Sequence, residues 1–117
     1  MSFEPVASRR PKGSMMREYY YRGMTYEKKG DFNTAIADYT EAIRLDPKYV
    51  TAYYNRGVNY GKKGDFDKAI VDDTEAIRLD PKDTKAYNNR GVAYKAKGET
   101  TKAEADFNRA KELGLKP

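Results

Sequence analysis

The stretch AYYNRGVNYGKKGDFDKAIVDDTEAIRLDP, from Ala52 to Pro81, decides the fold because related sequences precede and follow it. It is preceded by EYYYRGMTYEKKGDFNTAIADYTEAIRLDP, from Glu18 to Pro47, and followed by AYNNRGVAYKAKGETTKAEADFNRAKELGL, from Ala86 to Leu115. The Arg-Gly pair inside each copy recurs at a constant distance, 57 − 23 = 34 and 91 − 57 = 34 residues. A fixed period of this length indicates a repeat architecture, in which each unit buries a thin layer against its neighbours.

Composition argues against catalytic chemistry. The chain has 117 residues, of which 38% are hydrophobic, and it contains neither cysteine nor histidine. A thiol nucleophile, an imidazole base and the usual zinc ligands are therefore absent. The carboxylates recur mostly at predicted helix boundaries, the glycines form no phosphate-cradling loop, and no EF-hand spacing is present. We therefore expect a protein that is not an enzyme and that takes no cofactor or metal.

The charge balance favours mildly acidic partners. The formal charge is +5 and the pI is about 9.3, which falls short of the dense basic patch expected of a nucleic-acid-binding protein. No apolar run approaches the roughly 20 residues of a membrane span. The N-terminal segment MSFEPVASRRPKGS also lacks the apolar core of a signal peptide. We expect a cytoplasmic protein with no membrane partner.

The first fifteen residues follow no period. They contain two prolines and three basic residues among small polar ones. We predict that residues 1–15 are a disordered basic tail or a remnant of cloning, and that Ser14 caps the first helix. A single domain is then predicted over residues 16–117, with repeats at 16–49, 50–83 and 84–117.

Each copy predicts two helices joined by a tight turn. In the middle copy, Tyr53, Gly57 and Tyr60 recur at i, i+4 and i+7, which places them on one face of a helix. Gly64 can take the positive φ that ends this helix, and Asp65 is a suitable N-cap for the next one. An Asp-Pro pair ends the second helix, because the residue before a proline disfavours helical geometry.

These residues resemble the signature of tetratricopeptide repeats, which share the 34-residue period. The matching positions in the three copies are Tyr53, Gly57, Tyr60, Ala69, Ala76 and Pro81; Tyr19, Gly23, Tyr26, Ala35, Tyr39, Ala42 and Pro47; and Tyr87, Gly91, Tyr94, Ala103, Phe107 and Ala110. The resemblance covers residues 16–117. It implies an all-α fold, namely an α-solenoid in which three antiparallel helix pairs (six helices) form a right-handed superhelix. It also implies that the first helix of each pair lines a concave groove.

Charged residues depart from the family pattern at fixed positions. An arginine precedes the glycine of every repeat, and an aspartate recurs on every second helix: Arg22, Arg56 and Arg90; Asp38, Asp72 and Asp106. We interpret them as one structural Arg–Asp pair in each repeat, because a charge beside a packed seam needs a partner. The alternative is an exposed arginine stripe that binds anions.

Asp73 stands where the neighbouring repeats have Tyr39 and Phe107. An aspartate cannot fill the volume of an aromatic ring between two packed helices. Two interpretations remain open at this position, a weak point in the packing of the middle repeat or a polar contact that the sequence does not identify.

The second helices predict where the array is closed. An apolar stripe becomes polar in the third repeat: Phe32, Ile36 and Ile43; Phe66, Ile70 and Ile77; Thr100, Glu104 and Lys111. We therefore expect a complete array of three repeats, because the terminal faces of a solenoid must be solvated. A monomer is expected, and a weak dimer through Leu113 and Leu115 is the alternative.

The side of the first helices that is turned away from the second helices is the predicted binding groove. We expect a peptide there, because asparagine amides pair with a peptide backbone, lysines attract carboxylates and tyrosines add contact area. The predicted groove residues are Arg17, Tyr20, Met24, Tyr54, Asn55, Val58, Lys62, Lys85, Asn88, Asn89, Val92 and Lys95. The repeat pattern assigns no structural role to Tyr54, Asn55, Val58 and Lys62.

The leading hypothesis is a non-catalytic interaction module that binds an acidic or C-terminal segment of a peptide or protein. One subset of the family grips the carboxylate tail of heat-shock chaperones with a two-carboxylate clamp, which Asn55 and Lys85 match. Tyr20, Met24 and Asn89 stand where that clamp has lysine, asparagine and a basic residue. Chaperone-tail binding is therefore not predicted. The alternatives are a structural or engineered scaffold without a dedicated ligand and, third, nucleic-acid binding.

Overall fold

The computed structural model describes residues 11–114, which form three successive helix hairpins and contain no strand. None of the helices in this range is long and apolar enough to cross a membrane. In chain order the helices are α1 (Lys12–Lys28), α2 (Phe32–Leu45), α3 (Val50–Lys62), α4 (Phe66–Leu79), α5 (Thr84–Ala96) and α6 (Thr100–Gly114).

Helix α1 begins earlier than the sequence pattern predicts. It starts at Lys12 with Pro11 as the N-cap, so the prediction of a disordered segment is wrong for residues 12–15, and Ser14 is not the cap. The additional turn is closed by the Met15 amide, which donates to the Pro11 carbonyl at 3.1 Å, and it leads directly into Met16, which is buried against Ala42 and Ala52. The predicted basic tail otherwise falls on residues 1–10, outside the described range.

The turns between paired helices follow the predicted glycine chemistry. The backbone of Gly64 has φ of +81°, and the equivalent glycines of the other repeats have the same left-handed geometry. The next amide, on Asp65, donates to the carbonyl of Tyr60 at 2.8 Å and closes the helix end. Asp65 occupies the N-cap of α4 as predicted, but its side chain makes no capping hydrogen bond and lies 3.8 Å from the Lys68 ammonium instead.

Paired helices approach closely where the sequence has glycine. A Cβ atom added at Gly23 would lie 2.8 Å from Cε1 of Tyr39, and one added at Gly91 would lie 2.7 Å from Cε1 of Phe107. Any larger residue would force the helices apart or displace the ring, which is the physical reason for glycine at this position. Buried alanines on α2, α4 and α6 complete each seam.

The predicted Arg–Asp pairs are confirmed in all three hairpins. Each arginine donates from Nε and from one terminal nitrogen to both oxygens of its aspartate, at 2.6–2.9 Å. The aspartates are buried and the arginines cross from the first helix to the second, so the pairs belong to the scaffold and are not an anion-binding stripe. Tyrosine rings lie 5.2–6.0 Å from these guanidinium groups, within the range of cation–π attraction.

Successive hairpins stack through the second helix of one and the first helix of the next. Helix α2 packs on α3, α4 packs on α5, and α3 also contacts α5. The apolar stripe of α4 is half-buried, whereas Thr100, Glu104 and Lys111 at the equivalent positions of α6 are exposed, as predicted. Leu113 is half-buried, and Leu115 lies outside the described residues.

Candidate functional site

Two depressions lie side by side on the surface formed by the first helices. The first, which we call the N-terminal depression, has a volume of about 420 Å³ and surrounds the N-terminal ends of α3 and α5. It is lined by Tyr20, Val50, Thr51, Tyr54, Asn55, Asp80, Lys82, Asp83, Thr84 and Lys85. The second, which we call the Asp73 pocket, has a volume of about 270 Å³ and lies among α3, α4 and α5. It is lined by Gly57, Val58, Gly61, Lys62, Phe66, Ala69, Asp73, Asn89, Val92 and Ala93.

The predicted groove residues divide between these depressions. Those in the N-terminal depression are Tyr20, Tyr54, Asn55 and Lys85, and those in the Asp73 pocket are Val58, Lys62, Asn89 and Val92. The remaining predicted residues line neither depression: Arg17, Asn88 and Lys95 are exposed, and Met24 is half-buried.

Tyr20 and Asn55 are held by contacts within the protein. The Asn55 Nδ2 donates to the Tyr20 hydroxyl at 2.9 Å. The ring of Tyr20 packs edge-on against Tyr49 at 4.9 Å between centroids and against Tyr39 at 5.7 Å. Asn55 therefore has the structural role that the repeat pattern did not assign to it, and both side chains are fixed at the edge of the depression.

A buried polar network, which we call the Glu27 network, joins the first two repeats. Asn59 is fully buried and its Nδ2 donates to Oε1 of Glu27 at 2.8 Å and to the carbonyl of Asn55 at 2.7 Å. The hydroxyl of Tyr39 donates to the same Glu27 oxygen at 2.9 Å. Burial, reinforced by the Glu27 carboxylate, raises the pKa of Tyr39 far above its ordinary value. Lys62 lies 3.9 Å from the other Glu27 oxygen, so it too has a structural partner.

Sequence reasoning missed this network, although the repeats carried a signal for it. Glu27 is replaced by Gly61 one period later, and Asn59 is replaced by Ala93. A large polar residue that is replaced by a small one in the next repeat is a candidate for a contact that only one junction makes.

The floor of the Asp73 pocket is a carboxylate without a partner. Asp73 is only 1% exposed, its Oδ1 is buried without a hydrogen bond, and no ion pair reaches it within residues 11–114. Burial raises the pKa of Asp73 to about 8, and the neighbouring Asp72 adds to the shift. The sequence left a weak packing point or a polar contact open here; in the structure the position is a cavity with a polar floor.

Basic side chains on the groove surface are free to meet an anion. Arg17, Lys85 and Lys95 form no ion pair within the described part of the chain, and all three are exposed. Two acidic residues of the N-terminal depression are engaged by backbone amides, Asp80 by Lys82 N at 3.2 Å and Asp83 by Lys85 N at 3.1 Å. Among residues 11–114 there is no group of three or more acidic, histidine or cysteine side chains that could hold a metal ion.

Stacked helix hairpins in a constant register, with a grooved surface made by the first helices, define an α-solenoid of helical repeats. The chain belongs to the tetratricopeptide repeat family. A family model described as "TPR repeat" matches residues 18–64 and 59–98, and a model described as "Tetratricopeptide repeat" matches residues 84–113. No curated protein is significantly similar to the chain.

Solved tetratricopeptide structures are similar over most of the chain. The first TPR of Spaghetti (RPAP3), bound to the HSP90 peptide SRMEEVD, is 31% identical with a TM-score of 0.84 over 86% of this chain and 79% of that chain. The Arabidopsis OM64 TPR domain is 32% identical with a TM-score of 0.87 over 88% of this chain and 85% of that chain. The TPR2B domain of yeast Sti1, in complex with pHsp70, is 30% identical with a TM-score of 0.84 over 86% and 80%.

Proposed function

We propose that this protein is a non-catalytic interaction module whose groove binds an extended peptide, and that acidic side chains or the C-terminal carboxylate of the peptide lie in the N-terminal depression. Peptide complexes of similar repeat domains, with HSP90 and pHsp70 segments, support a peptide as the class of ligand. The partner is a protein or a mildly acidic peptide.

The observation that carries the proposal is the pair of donors at the edge of the N-terminal depression. The Tyr20 oxygen accepts a hydrogen bond from Asn55 at 2.9 Å, which fixes the hydroxyl and leaves its own hydrogen available for an acceptor. The Lys85 ammonium lines the same depression and has no acidic partner among the described residues. A phenol and a lysine that line the same depression suit a carboxylate, because a charged acceptor strengthens hydrogen bonds from both.

The donor set differs from the clamp of the chaperone-binding relatives. Tyr20 supplies one neutral donor where that clamp has a lysine, and Asn89 supplies an amide where the clamp has a basic residue. Fewer positive charges favour a ligand with fewer carboxylates, so we do not extend the proposal to chaperone tails.

Fluorescence polarisation with labelled peptides tests the proposal. We would screen an array of acidic peptides with free C-termini and titrate the tightest ligand in both its free-acid and its amidated form. Lys85→Ala should weaken binding about tenfold or more, since a charge-assisted hydrogen bond contributes about 1.5–3 kcal/mol. Tyr20→Phe should weaken it less, because the phenol donor is neutral.

The matched control is Lys111→Ala, which removes an exposed lysine from α6, on the second helix of its hairpin. This variant should bind like the wild type. The proposal would be abandoned if no peptide bound more tightly than about 1 mM, a weak affinity near −4 kcal/mol. Equal losses in the Lys85 and Lys111 variants would also contradict it.

A further inference from the structure

The junction between the second and third repeats has lost the polar network that fills the junction between the first two. At the positions equivalent to Glu27, Tyr39 and Asn59 the chain has, in the same order, Gly61, Asp73 and Ala93. All three replacements line one cavity of about 270 Å³ that opens on the groove. Three large residues of the first junction are thus replaced by smaller ones around a single cavity. One of the replacements places a carboxyl group at the floor of that cavity.

We propose that the Asp73 pocket receives a basic side chain, lysine or arginine, from a peptide lying in the groove, with the cationic head at the Asp73 carboxylate. The inference rests on the proposed function in that the side chain is delivered by a groove-bound peptide. It adds a specificity for a positive residue at one position of an otherwise acidic ligand.

The shape and lining of the pocket suit a long side chain with an apolar stem. Val58, Phe66 and Val92 supply apolar wall, and the carboxylate lies at the buried end. The volume is below the roughly 300–1,000 Å³ of sites for drug-sized ligands, so it suits one side chain rather than a cofactor. Lysine and arginine bury such stems readily while the charged head finds a polar partner.

The charges around the pocket leave Asp73 uncompensated. The nearby Asp72 is paired with Arg56 at 2.7 Å, and Asp106 is paired with Arg90 at 2.8 Å. The charges of these neighbours therefore cancel in pairs, whereas Asp73 has no hydrogen bond or ion pair among the described residues. The charged form of a buried carboxyl without a partner is costly, and an incoming cation with hydrogen-bond donors would stabilise that form.

Lys62 and Asp83 are the two other charged groups near the pocket, and neither provides a cation for Asp73. Lys62 lines the pocket, but its ammonium lies 3.9 Å from Glu27, on the side of the first repeat. Asp83 accepts the backbone amides of Lys85 and Ala86 at the start of α5. Burial raises the pKa of Asp73 to about 8, so a bound cation would also displace the proton that the carboxyl retains in the free protein near neutral pH.

A positional peptide library tests the inference directly. The probes are octapeptides with free C-termini that carry lysine, norleucine, arginine or citrulline at each position in turn. At one position, lysine or arginine should bind the wild type about ten- to hundredfold more tightly than its neutral counterpart, as expected of a charge-assisted hydrogen bond in a buried site. Asp73→Asn, which keeps the shape and removes the charge, should abolish that preference and leave the affinity for norleucine peptides unchanged.

A second probe separates this inference from the proposed function. Binding of n-butylammonium, which reproduces the lysine side chain from Cβ to Nζ, is followed by NMR at the Asp73 carboxyl carbon, with neutral n-butanol as the matched ligand. Asp73→Phe, which places the residue type of Phe107 in the cavity, should eliminate binding of n-butylammonium, followed for this variant at the backbone amides of Gly57 and Gly61 that line the pocket. Asp67→Asn, at a carboxylate that is 78% exposed, is the control variant and should bind n-butylammonium like the wild type.

Each outcome of these two experiments supports or overturns one of the two proposals. A preference for the basic residue that disappears in Asp73→Asn supports the inference, and peptide binding without such a preference overturns it while the proposed function stands. If no peptide binds but n-butylammonium shifts the Asp73 carbon and n-butanol does not, the pocket is as proposed and the peptide function is wrong. If neither peptides nor n-butylammonium bind, both proposals fail.

Discussion

The three Arg–Asp pairs have one geometry but different surroundings. The Arg22 side chain is 57% exposed, whereas the Arg56 side chain is 18% exposed because the preceding hairpin covers it. An oxygen of Thr40, on that preceding hairpin, accepts a hydrogen bond from Arg56 at 3.1 Å. The same Arg–Asp pair should therefore contribute differently to stability according to its place in the array.

Removing the arginine of the covered pair should lower the free energy of unfolding more than removing the arginine of the exposed pair. Arg56→Met leaves Asp72 buried without a partner, and burial already raises the pKa of that carboxyl against the opposing influence of Arg56. We expect a loss of about 3–5 kcal/mol in the free energy of unfolding. Arg22→Met should lose less, about 1–3 kcal/mol, because Asp38 is also buried but water can reach it from the side on which Arg22 is exposed. Urea denaturation of both variants measures the difference, and equal losses would contradict the assignment.

Asp73 should make the stability of the protein depend on pH in a predictable direction. The carboxyl has its ordinary pKa of 3.8 when the chain is unfolded, and burial raises it to about 8 in the folded protein. Between these values the unfolded chain releases the proton and the folded one retains it. The free energy of unfolding must therefore fall as the pH rises from about 4 to about 8. Above that range Asp73 makes no further change to the free energy of unfolding.

Comparison with Asp73→Asn isolates the effect. Between pH 5 and pH 8 the wild type should lose a few kcal/mol relative to this variant in urea denaturation. Asp67→Asn serves as the control, since its carboxylate is on the surface. If the wild type and Asp73→Asn changed in parallel with pH, the buried carboxyl would not be the cause.

At the scale of the helices, α3 makes two different junctions. Toward the first repeat it contributes Asn59 to the Glu27 network, so that this junction contains hydrogen-bonded polar groups. Toward the third repeat it contributes Gly57 and Gly61 to the Asp73 pocket. The middle hairpin thus has a hydrogen-bonded junction on one side and a pocket on the other.

Glu27→Ala should weaken the first of these junctions. It removes the acceptor of two donors, the Tyr39 hydroxyl and the Asn59 amide, and each buried donor left without a partner costs about 1–3 kcal/mol. We expect a loss of about 2–4 kcal/mol on urea denaturation. The control is Glu41→Ala, which breaks only a surface pair with Arg44 and should cost about 0.5 kcal/mol or less. Similar losses in the two variants would show that the network contributes little.

At the scale of the whole molecule, the outer face of α6 differs from the corresponding faces of α2 and α4. Those two faces pack on the next hairpin through aromatic and aliphatic residues, whereas the α6 face is exposed and polar. A solenoid needs such a surface wherever an apolar face would otherwise meet water.

Restoring the apolar stripe on α6 should make the protein self-associate. The triple variant Thr100→Phe, Glu104→Ile and Lys111→Ile recreates the face that α4 presents to α5, and a contiguous exposed apolar patch favours association. Sedimentation velocity should show species larger than the monomer that increase with protein concentration. The control is Thr100→Ser, Glu104→Gln and Lys111→Arg, which keeps the face polar and should sediment like the wild type. Identical behaviour of the two triple variants would contradict the role of this face.

The sequence by itself determined the parts of the structure that repeat. The 34-residue period, the turn at Gly64, the close approach of helices at Gly57 and the pairing of Arg56 with Asp72 were all predictable. Each of these features is a contact or a backbone geometry within one hairpin. Each feature recurs three times at the same spacing, so its physical cause could be inferred from the residue types alone.

Only the tertiary structure decided what lies between the hairpins. The bond from Asn59 to Glu27 and the cavity above Asp73 depend on which side chains share one volume, and those side chains come from different repeats. The burial of Met16 near the start of α1 likewise requires the second hairpin to be in place, because Ala52 belongs to that hairpin. Packing in a filled interior is cooperative, because the space that one residue leaves is closed or kept open by its neighbours. A comparison of positions one at a time identifies Asp73 as unusual, but the pocket follows from Gly61, Asp73 and Ala93 acting together.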